Sequence, residues 1–265
     1  MEGYRAPGAW GATTRRQRAT ATPVLLYHGV HDDPEGPAER GHFHPVTSVR
    51  RDDFARQLDA ISEAGYRTRR LDEVDGPAAD KRIVLTFDDG DVSNVEVVLP
   101  MLVERGMVAE FFVVSDLIGT VGRVGPGDGA VLSAAGMGVQ SHTRTHRPLT
   151  VLTPDELRDE LVTSRQVLQQ WAGSRVTAVS FPEGRGRQRE HLAALRTGYT
   201  HVLGSLPGPN RRWEQGACLE RIAITRQTST EQFRALVTWS GVGPLRARLR
   251  YHTFEGVKRV LGKTA

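Results

Sequence analysis

Polar and charged side chains follow four of the strands that the sequence predicts, at the points where those strands end. In chain order they are His28, the pair Asp88 and Asp89, the pair His142 and His146, and the turn Pro182, Glu183 and Gly184. Because ligands of parallel α/β sheets bind at the carboxyl ends of the strands, we expect these residues to share one face of the fold. One carboxylate and two imidazoles would supply the three protein ligands of a catalytic zinc-type site and leave a position open for water or a substrate oxygen.

The two adjacent aspartates could divide metal binding and proton transfer between them. Neighbouring residues of an extended strand point to opposite faces, but the turn at Gly90 would let both carboxylates approach one ion. One would bind the ion and the other would take a proton from water. Asp-Asp-Gly alone is usually an ordinary turn, and His-x-x-x-His, which on a helix puts both rings on one face, is often a surface feature. The combination of the two motifs favours hydrolysis.

Short β-branched runs alternate with helical patterns from Pro23 onward, which is typical of βα units around a parallel sheet. The α/β fold that we expect is a distorted (β/α) barrel with about seven strands, in preference to an open sheet. The predicted strands are PVLLYH, RIVLTF, VAEFFVV, GMGVQS, RVTAVSF, YTHVLG and ERIAIT, and the predicted helices are RDDFARQLDAISEAG, NVEVVLPMLVERG, TPDELRDELVTSRQVLQQW, RQREHLAALRTG and TEQFRALVTW. The loop 119–129, rich in Gly, Pro and Asp, is long enough to be a binding loop.

Length and composition exclude several classes of protein. The chain has 265 residues, of which 38% are hydrophobic, and this is enough for one large domain with its own core. Its single cysteine, Cys218, cannot form an internal disulfide, and no apolar run reaches the ~18 residues of a membrane span. Aromatic residues make up only 6% and the body carries no basic stripe, so we expect no nucleic-acid partner.

Basic residues are concentrated at the two ends of the chain. We predict a flexible basic arm over 1–22, one main domain over 23–240 and a basic tail over 241–265. Apolar residues of the tail fall near one helical stripe, so an amphipathic helix there could make peripheral contact with an anionic membrane. The pair Arg15-Arg16 is not followed by the apolar stretch of an export signal, and we therefore expect a cytoplasmic location, beside the inner face of the membrane if the tail binds it.

Two motifs carry a resemblance to a known family. LTFDDG (85–90), followed by SHTRTH (141–146), resembles the first two motifs of the polysaccharide deacetylases with a NodB-homology domain, the enzymes of carbohydrate esterase family 4. The resemblance extends over most of the predicted main domain. It implies a distorted (β/α) barrel of the NodB-homology type and the metal-dependent removal of acetyl groups from N-acetylated sugars.

The resemblance implies roles for individual residues. Asp89, His142 and His146 would bind a divalent metal, zinc before other transition metals, and Asp88 would be the general base that activates the bound water. SFPEGRG is similar to the third motif of the family. On that basis Pro182, Glu183, Gly184 and Arg185 would line the substrate groove, and the backbone N–H of Glu183 could help to bind the oxyanion.

The sequence departs from the family pattern at two positions. Many relatives have an arginine just before the proline of the third motif, directed at the general base, whereas this chain has Ser180-Phe181-Pro182. Asp88 would therefore lack its expected partner unless Arg185 replaces it. The C-terminal Leu-His motif, which provides the general acid, is also missing, because the matching segment RIAITRQTS contains no histidine.

His28 offers a replacement for the missing general acid. The opening PVLLYHGV resembles the branch of the family that deacetylates poly-N-acetylglucosamine, in which a histidine after the first strand is the proton donor. His28 would then protonate the leaving amine. The alternative is a histidine that only caps the strand and bonds to the backbone.

The sequence therefore predicts a hydrolase that removes N-acetyl groups from an amino-sugar polysaccharide or glycan intermediate. Two other readings remain open. The same metal site could cleave an O-acetyl ester or a non-sugar amide, or the chain could be a catalytically inactive protein that binds carbohydrate.

Overall fold

Strands and helices alternate throughout the computed structural model, which describes residues 21–32, 46–74, 80–184, 186–210, 213, 216–240 and 248–249. The strands are β1 (Val24–Tyr27), β2 (Val30–His31), β3 (Val49–Arg50), β4 (Tyr66–Thr68), β5 (Lys81–Phe87), β6 (Glu110–Val113), β7 (Gly138–Ser141), β8 (Ala178–Ser180), β9 (His201–Leu203), β10 (Cys218–Leu219) and β11 (Ile222–Ala223). The helices are α1 (Arg51–Glu63), α2 (Leu99–Glu104), α3 (Asp128–Ala134), α4 (Pro154–Ala172), α5 (Gln188–Arg196) and α6 (Thr230–Val237).

Each strand and helix that the sequence predicts contains an observed element, and the structure adds β2, β3, β4, β10 and α3. The predicted arm 1–22 and tail 241–265 lie outside the described residues, apart from 21–22 and 248–249. The boundaries of the main domain, and the membrane-binding helix of the tail, stay predictions.

Local sequence explains the ends of two helices. At the start of α4, Thr153 Oγ1 accepts from the N–H of Glu156, whose carboxylate accepts from the N–H of Thr153, which is a capping box. α2 is preceded by a π-helical turn, Asn94–Val98, rather than by an α-helical one. Pro100 follows this turn and has no N–H for an α-helical bond, which favours the irregular start. Within the described part of the chain, no helix has the length and apolar character of a membrane span.

One short segment closes the sheet. Eight strands follow one another in the order β10, β9, β8, β7, β6, β5, β1, β11, all pairs are parallel, and β4 pairs with the first half of β5. β10 and β11 stand at opposite ends of this order, yet only Glu220 and Arg221 separate them in the chain. The segment 218–223 therefore pairs first with β9 and then with β1. Counted as one strand, it completes a ring of seven, which confirms the predicted barrel.

The barrel has a small inner cluster of apolar side chains and a larger outer core beneath the helices. The inner cluster takes residues from alternate positions of successive strands, as the two-residue period of a strand requires. Its strand members are Val24, Val84, Phe112, Ala178, Leu203 and Leu219. The outer core packs the other faces of these strands against the helices, and its strand members include Leu25, Leu85, Phe111, Val139, Val179 and Val202.

A glutamate is buried among these strands. The two carboxylate oxygens of Glu110 accept from the N–H of Leu71 at 2.7 Å and from Nε2 of Gln140 at 2.9 Å. Residue 138 is glycine, and a Cβ there would overlap the carboxylate. Burial, which two hydrogen bonds only partly oppose, raises the pKa of Glu110 to about 7.

This carboxyl group should make the stability of the fold depend on pH. A pKa raised on folding stabilises the native state below the unfolded value, and that contribution is lost as the pH rises through the folded value. We expect the free energy of unfolding of the native protein, relative to Glu110→Gln, to fall by about 3 kcal/mol between pH 4.5 and pH 7.5. Urea unfolding across this range would measure the difference, with Glu104→Gln on the surface as the control. A difference that stays flat with pH would contradict the expectation.

Candidate active site

Three predicted metal ligands meet at the carboxyl ends of β5 and β7. Asp89 Oδ1 lies 3.3 Å from Nε2 of His142 and 3.4 Å from Nε2 of His146. The candidate ligand atoms of the three residues all lie within 4.8 Å of one another. His142 is buried, whereas Asp89 and His146 are partly exposed, so the cluster opens to solvent on one side. The cluster is thus the set that the sequence predicts.

Left-handed backbone conformations direct these side chains inward. Asp89, Thr143 and His146 have φ of 74°, 67° and 66°, a region that costs a non-glycine residue about 1–3 kcal/mol and is found at functional sites. The segment between the two histidines is a loop and not a helix. Glu160 of α4 fixes it, because its carboxylate accepts from the N–H groups of residues 144 and 145 at 2.8 and 2.9 Å.

Asp88 has a partner that the sequence did not suggest. Arg221, between β10 and β11, donates from Nη1 and Nη2 to the two carboxylate oxygens of Asp88 at 2.7 and 2.8 Å. Both side chains are buried, and the expectation that Asp88 lacks an arginine unless Arg185 replaces it is therefore wrong. Arg185 itself lies outside the described residues. Burial tends to raise the pKa of Asp88, but Arg221 and the neighbouring histidines outweigh it, and the pKa lies below its usual value.

Ser180, two residues before Pro182 of the third motif, links the aspartate to a histidine. Its Oγ donates to Asp88 Oδ1 at 3.3 Å and lies 2.5 Å from Nδ1 of His142. The carbonyl of Ser180 is 3.0 Å from the same Nδ1. A carbonyl can only accept, so Nδ1 carries the hydrogen and Nε2 of His142 presents a lone pair to Asp89.

This arrangement fits a cation. The lone pair of His142 Nε2 faces Asp89 Oδ1, which is buried and has no hydrogen-bond donor in the described part of the chain. Two acceptors held this close repel each other unless a positive charge, either a proton or a metal ion, lies between them. A carboxylate with two imidazoles is also the donor set of a catalytic zinc-type site. Burial lowers the pKa of His142, but Asp88 and Asp89 outweigh it and raise the pKa overall.

His28 lies beside the same group. His28 follows β1 and Asp88 follows β5, and these neighbouring strands pair with Tyr27 opposite Phe87, so the two residues follow side by side. Burial lowers the pKa of His28, and the charges of Asp89 and Asp88 oppose that shift only in part. Nδ1 of His28 is buried and finds no hydrogen-bond partner among the residues described. The alternative interpretation, a histidine that caps its strand and bonds to the backbone, is therefore not supported at Nδ1.

The third motif forms a tight turn directly after β8. Pro182, Glu183 and Gly184 make one 3₁₀ turn, in which Glu183 and Gly184 have φ of 58° and 66°. A Cβ at residue 184 would overlap Ser205, so the close approach requires glycine. The turn lies at the same end of the barrel as the metal ligands. Its contact with substrate stays a prediction.

The loop 119–129, which the sequence analysis describes as long enough to be a binding loop, is hydrogen-bonded to the turn that contains Asp89. Val124 N donates to the carbonyl of Gly90 and Val92 N donates to that of Gly122, both at 3.0 Å. Arg123 Nη1 donates to the carbonyl of Asp89 at 2.9 Å. These bonds hold the backbone around a predicted metal ligand in place.

Replacing Arg123 should weaken metal binding. Arg123→Ala removes the hydrogen bond to the carbonyl of Asp89, so the left-handed backbone of Asp89 is no longer held in place. We therefore expect the zinc affinity of this variant to fall about 10-fold. Charge alone would act in the opposite direction, because removal of a nearby guanidinium strengthens binding of a cation. Calorimetric zinc titration distinguishes the two effects, with the surface variant Arg105→Ala as the control. An unchanged or higher affinity would exclude the supporting role.

Comparisons with known proteins identify the family that this chain resembles. The family model for polysaccharide deacetylases matches residues 75–202. YxkH of Bacillus subtilis (strain 168), a curated protein named after the same family, is 25% identical over 232 residues, which cover 85% of this chain and 79% of YxkH. The chain thus contains a polysaccharide deacetylase domain. The resemblance carried by LTFDDG and SHTRTH is thereby confirmed, as is the expectation that the chain is a deacetylase and so a hydrolase.

Solved structures of other deacetylases share the fold. The deacetylase PplD of Streptococcus pyogenes, in complex with acetate, superposes with a TM-score of 0.71 at 25% identity, covering 82% of this chain and 98% of PplD. IcaB from Ammonifex degensii gives a TM-score of 0.68 at 22% identity, covering 83% of this chain and 97% of IcaB. The barrel assigned to this deacetylase is therefore that of its relatives.

Proposed function

We propose that this deacetylase removes N-acetyl groups from an amino-sugar polysaccharide or glycan intermediate with the help of a divalent metal ion. The observation that carries the proposal is the pairing of Asp88 with Arg221 beside Asp89, His142 and His146. An ionised carboxylate held next to a cation site is the arrangement that hydrolysis of an amide requires. The acetate complex of PplD is consistent with acetate as a product.

Asp89, His142 and His146 would hold the ion, with zinc preferred for one carboxylate and two imidazoles. When bound, such an ion polarises an acyl oxygen and lowers the pKa of water. Asp88 is ionised at neutral pH because Arg221 holds its pKa down, so it can accept the proton of the attacking water. Ser180 and Arg221 fix its two oxygens and thus the direction from which that proton arrives.

His28 would complete the reaction as the general acid. As the C–N bond of the amide breaks, the ring donates a proton to the departing nitrogen, and the products are acetate and a free amine. Asp88 takes one proton of the attacking water and His28 gives one to the nitrogen, so acetic acid and the amine are released and the acid then ionises to acetate. Transfer of a proton from Asp88 to His28 through solvent restores both groups. Burial lowers the pKa of His28 overall, so the ring gives up its proton readily, while the carboxylates of Asp89 and Asp88 stabilise its protonated form in part.

Acetate release tests the proposal directly. Zinc-loaded protein would be incubated with N-acetylglucosamine oligomers and, separately, with acetylated xylan, and His142→Ala would serve as the inactive control. We expect acetate and free amine from the first substrate only. Release from xylan alone would assign an O-acetyl esterase, and tight glycan binding without turnover under several divalent metals would assign an inactive binding protein; either result overturns the proposal.

The location of this activity is a separate proposal. We propose a biosynthetic step in the cytoplasm, with the basic tail 241–265 as a contact to anionic lipid. Sedimentation with vesicles of anionic lipid, compared with neutral vesicles, tests the contact, and cell fractionation tests the compartment.

A further inference from the structure

The segment that follows the metal ligand Asp89 also holds the backbone of the proposed general acid. Asn94, at the start of the π-helical turn, donates from Nδ2 to the carbonyl of His28 at 3.0 Å. Ser93 Oγ accepts from the N–H of Val30 at 3.0 Å. Asn94 and Ser93 are almost completely buried, so these bonds are shielded from competing water. Two neighbouring side chains thus fix the backbone on both sides of Gly29.

A contact between His31 and Asp91 adds to the bonds between these two loops. His31 Nε2 lies 3.3 Å from Asp91 Oδ1, and the same oxygen accepts from the N–H of Ser93 at 2.9 Å. A Cβ at Gly29 would overlap His31 and lie 3.1 Å from the carboxyl carbon of Asp91. Glycine therefore lets the loop after β1 approach the loop after β5.

The ring of His28 needs support of this kind. Its Nδ1 is buried without a hydrogen-bond partner in the described ranges, so no side chain bonded to that atom orients the imidazole. A proton donor must nevertheless be placed accurately, because a misplacement of about 1 Å can cost roughly 100-fold in rate. The support that the described residues show is at the backbone, where Asn94 donates to the carbonyl of His28.

We propose that Asn94, assisted by Ser93, is a positioning residue that holds His28 in the geometry for proton donation. The inference rests on the proposed function, because it assigns His28 the role of general acid. Asn94 itself touches neither substrate nor metal in this account. It couples two loops, one with the proton donor and one with the base and a metal ligand.

A double-mutant cycle tests the inference. The variants are Asn94→Ala, His28→Ala and the two combined, assayed with zinc and N-acetylglucosamine oligomers. We expect Asn94→Ala to lower kcat about 10-fold to 100-fold with KM within about twofold, and to cause no further loss in the His28→Ala background. If Asn94→Ala lowers the activity of His28→Ala by the same factor, the residue does not act through His28 and the inference fails.

Two controls separate positioning from general damage. Thr68→Val removes another buried side-chain bond, the one that Thr68 Oγ1 accepts from Val108 N at 2.9 Å, and we expect it to leave kcat unchanged. Zinc affinity should be the same in Asn94→Ala and the native protein, and a parallel fall would show that the turn collapsed. Ser93→Ala, which removes a single acceptor, provides a milder variant if Asn94→Ala does not fold.

An NMR measurement tests the inference without an assay of activity. The ring resonances of His28, assigned by their absence from His28→Ala, should shift in Asn94→Ala and Ser93→Ala but not in Thr68→Val. If the native protein releases no acetate while these shifts occur, the proposed function fails and the positioning contact stands. Unchanged resonances in all three variants would overturn the positioning role.

Discussion

Asp88→Asn should lower kcat for acetate release by about 1,000-fold. Asparagine has the same shape and can still accept a hydrogen bond from Arg221, but it cannot take a proton from water. The metal ligands are unchanged, so we expect zinc affinity to stay within about threefold of the native value, as calorimetry would measure. A large loss of kcat with normal metal binding separates the base from the metal site.

The matched control is Asp59→Asn. Asp59 also pairs with an arginine, Arg105 at 3.0 Å, but at an exposed position, and its replacement should leave kcat unaltered. If Asp88→Asn retained more than about a tenth of the native kcat, general base catalysis by this residue would be excluded.

Arg221→Met should lower the free energy of unfolding by about 3–5 kcal/mol, because it leaves the carboxylate of Asp88 buried without its partner. The guanidinium also donates to the carbonyl of Gly204 at 2.7 Å, and that bond is lost as well. Urea unfolding at pH 7 would measure the effect. The surface variant Arg105→Met should change stability by less than about 1 kcal/mol.

The loss of stability in Arg221→Met should depend on pH in a defined direction. In the native protein the pKa of Asp88 is lowered, so its ionised form stabilises the fold, and this contribution is lost as the pH falls. Without Arg221, burial would raise that pKa, and protonation of Asp88 would relieve the unpaired charge. The difference between Arg221→Met and the native protein should therefore shrink at acidic pH. A double variant, Asp88→Asn with Arg221→Met, that is as unstable as the sum of the single variants would contradict the coupling.

The metal ligands could be predicted because each follows a strand. LTFDDG and SHTRTH stand at the carboxyl ends of β5 and β7, and a parallel barrel brings those ends to one face whatever the details of packing. The capping box of α4 was predictable for a similar reason, since it depends on only four consecutive residues. Such features follow from local pattern and fold class.

Arg221 could not be predicted in the same way. It reaches Asp88 because the segment 218–223 crosses from β9 to β1 and closes the barrel, a contact that depends on the whole ring of strands. One signal was present in the sequence, namely an arginine within the apolar run ERIAIT, where a charge is stable only if it is paired. Because ERIAIT was predicted as one uninterrupted strand, the need of this arginine for a charged partner was not considered.

The left-handed backbone conformation of the site residues also could not be predicted from the sequence. The segment 143–146, in which Thr143 and His146 are left-handed, is held by bonds from residues 144 and 145 to Glu160 of α4 and by the N–H of Ser115, which donates to the carbonyl of Thr143. Threonine is β-branched and rarely adopts that region, unlike glycine. The tertiary structure therefore imposes the geometry that turns a common His-x-x-x-His spacing into a ligand set.

Zinc titration of metal-free protein is the most direct test of the account. We predict that the native chain binds one ion and that acetate release returns in proportion to the ion bound. His142→Ala should bind more than about 100-fold more weakly, and His191→Ala, a matched change on α5, should bind normally. Native protein that binds no divalent ion, or that binds it equally well without His142, would contradict the central claim.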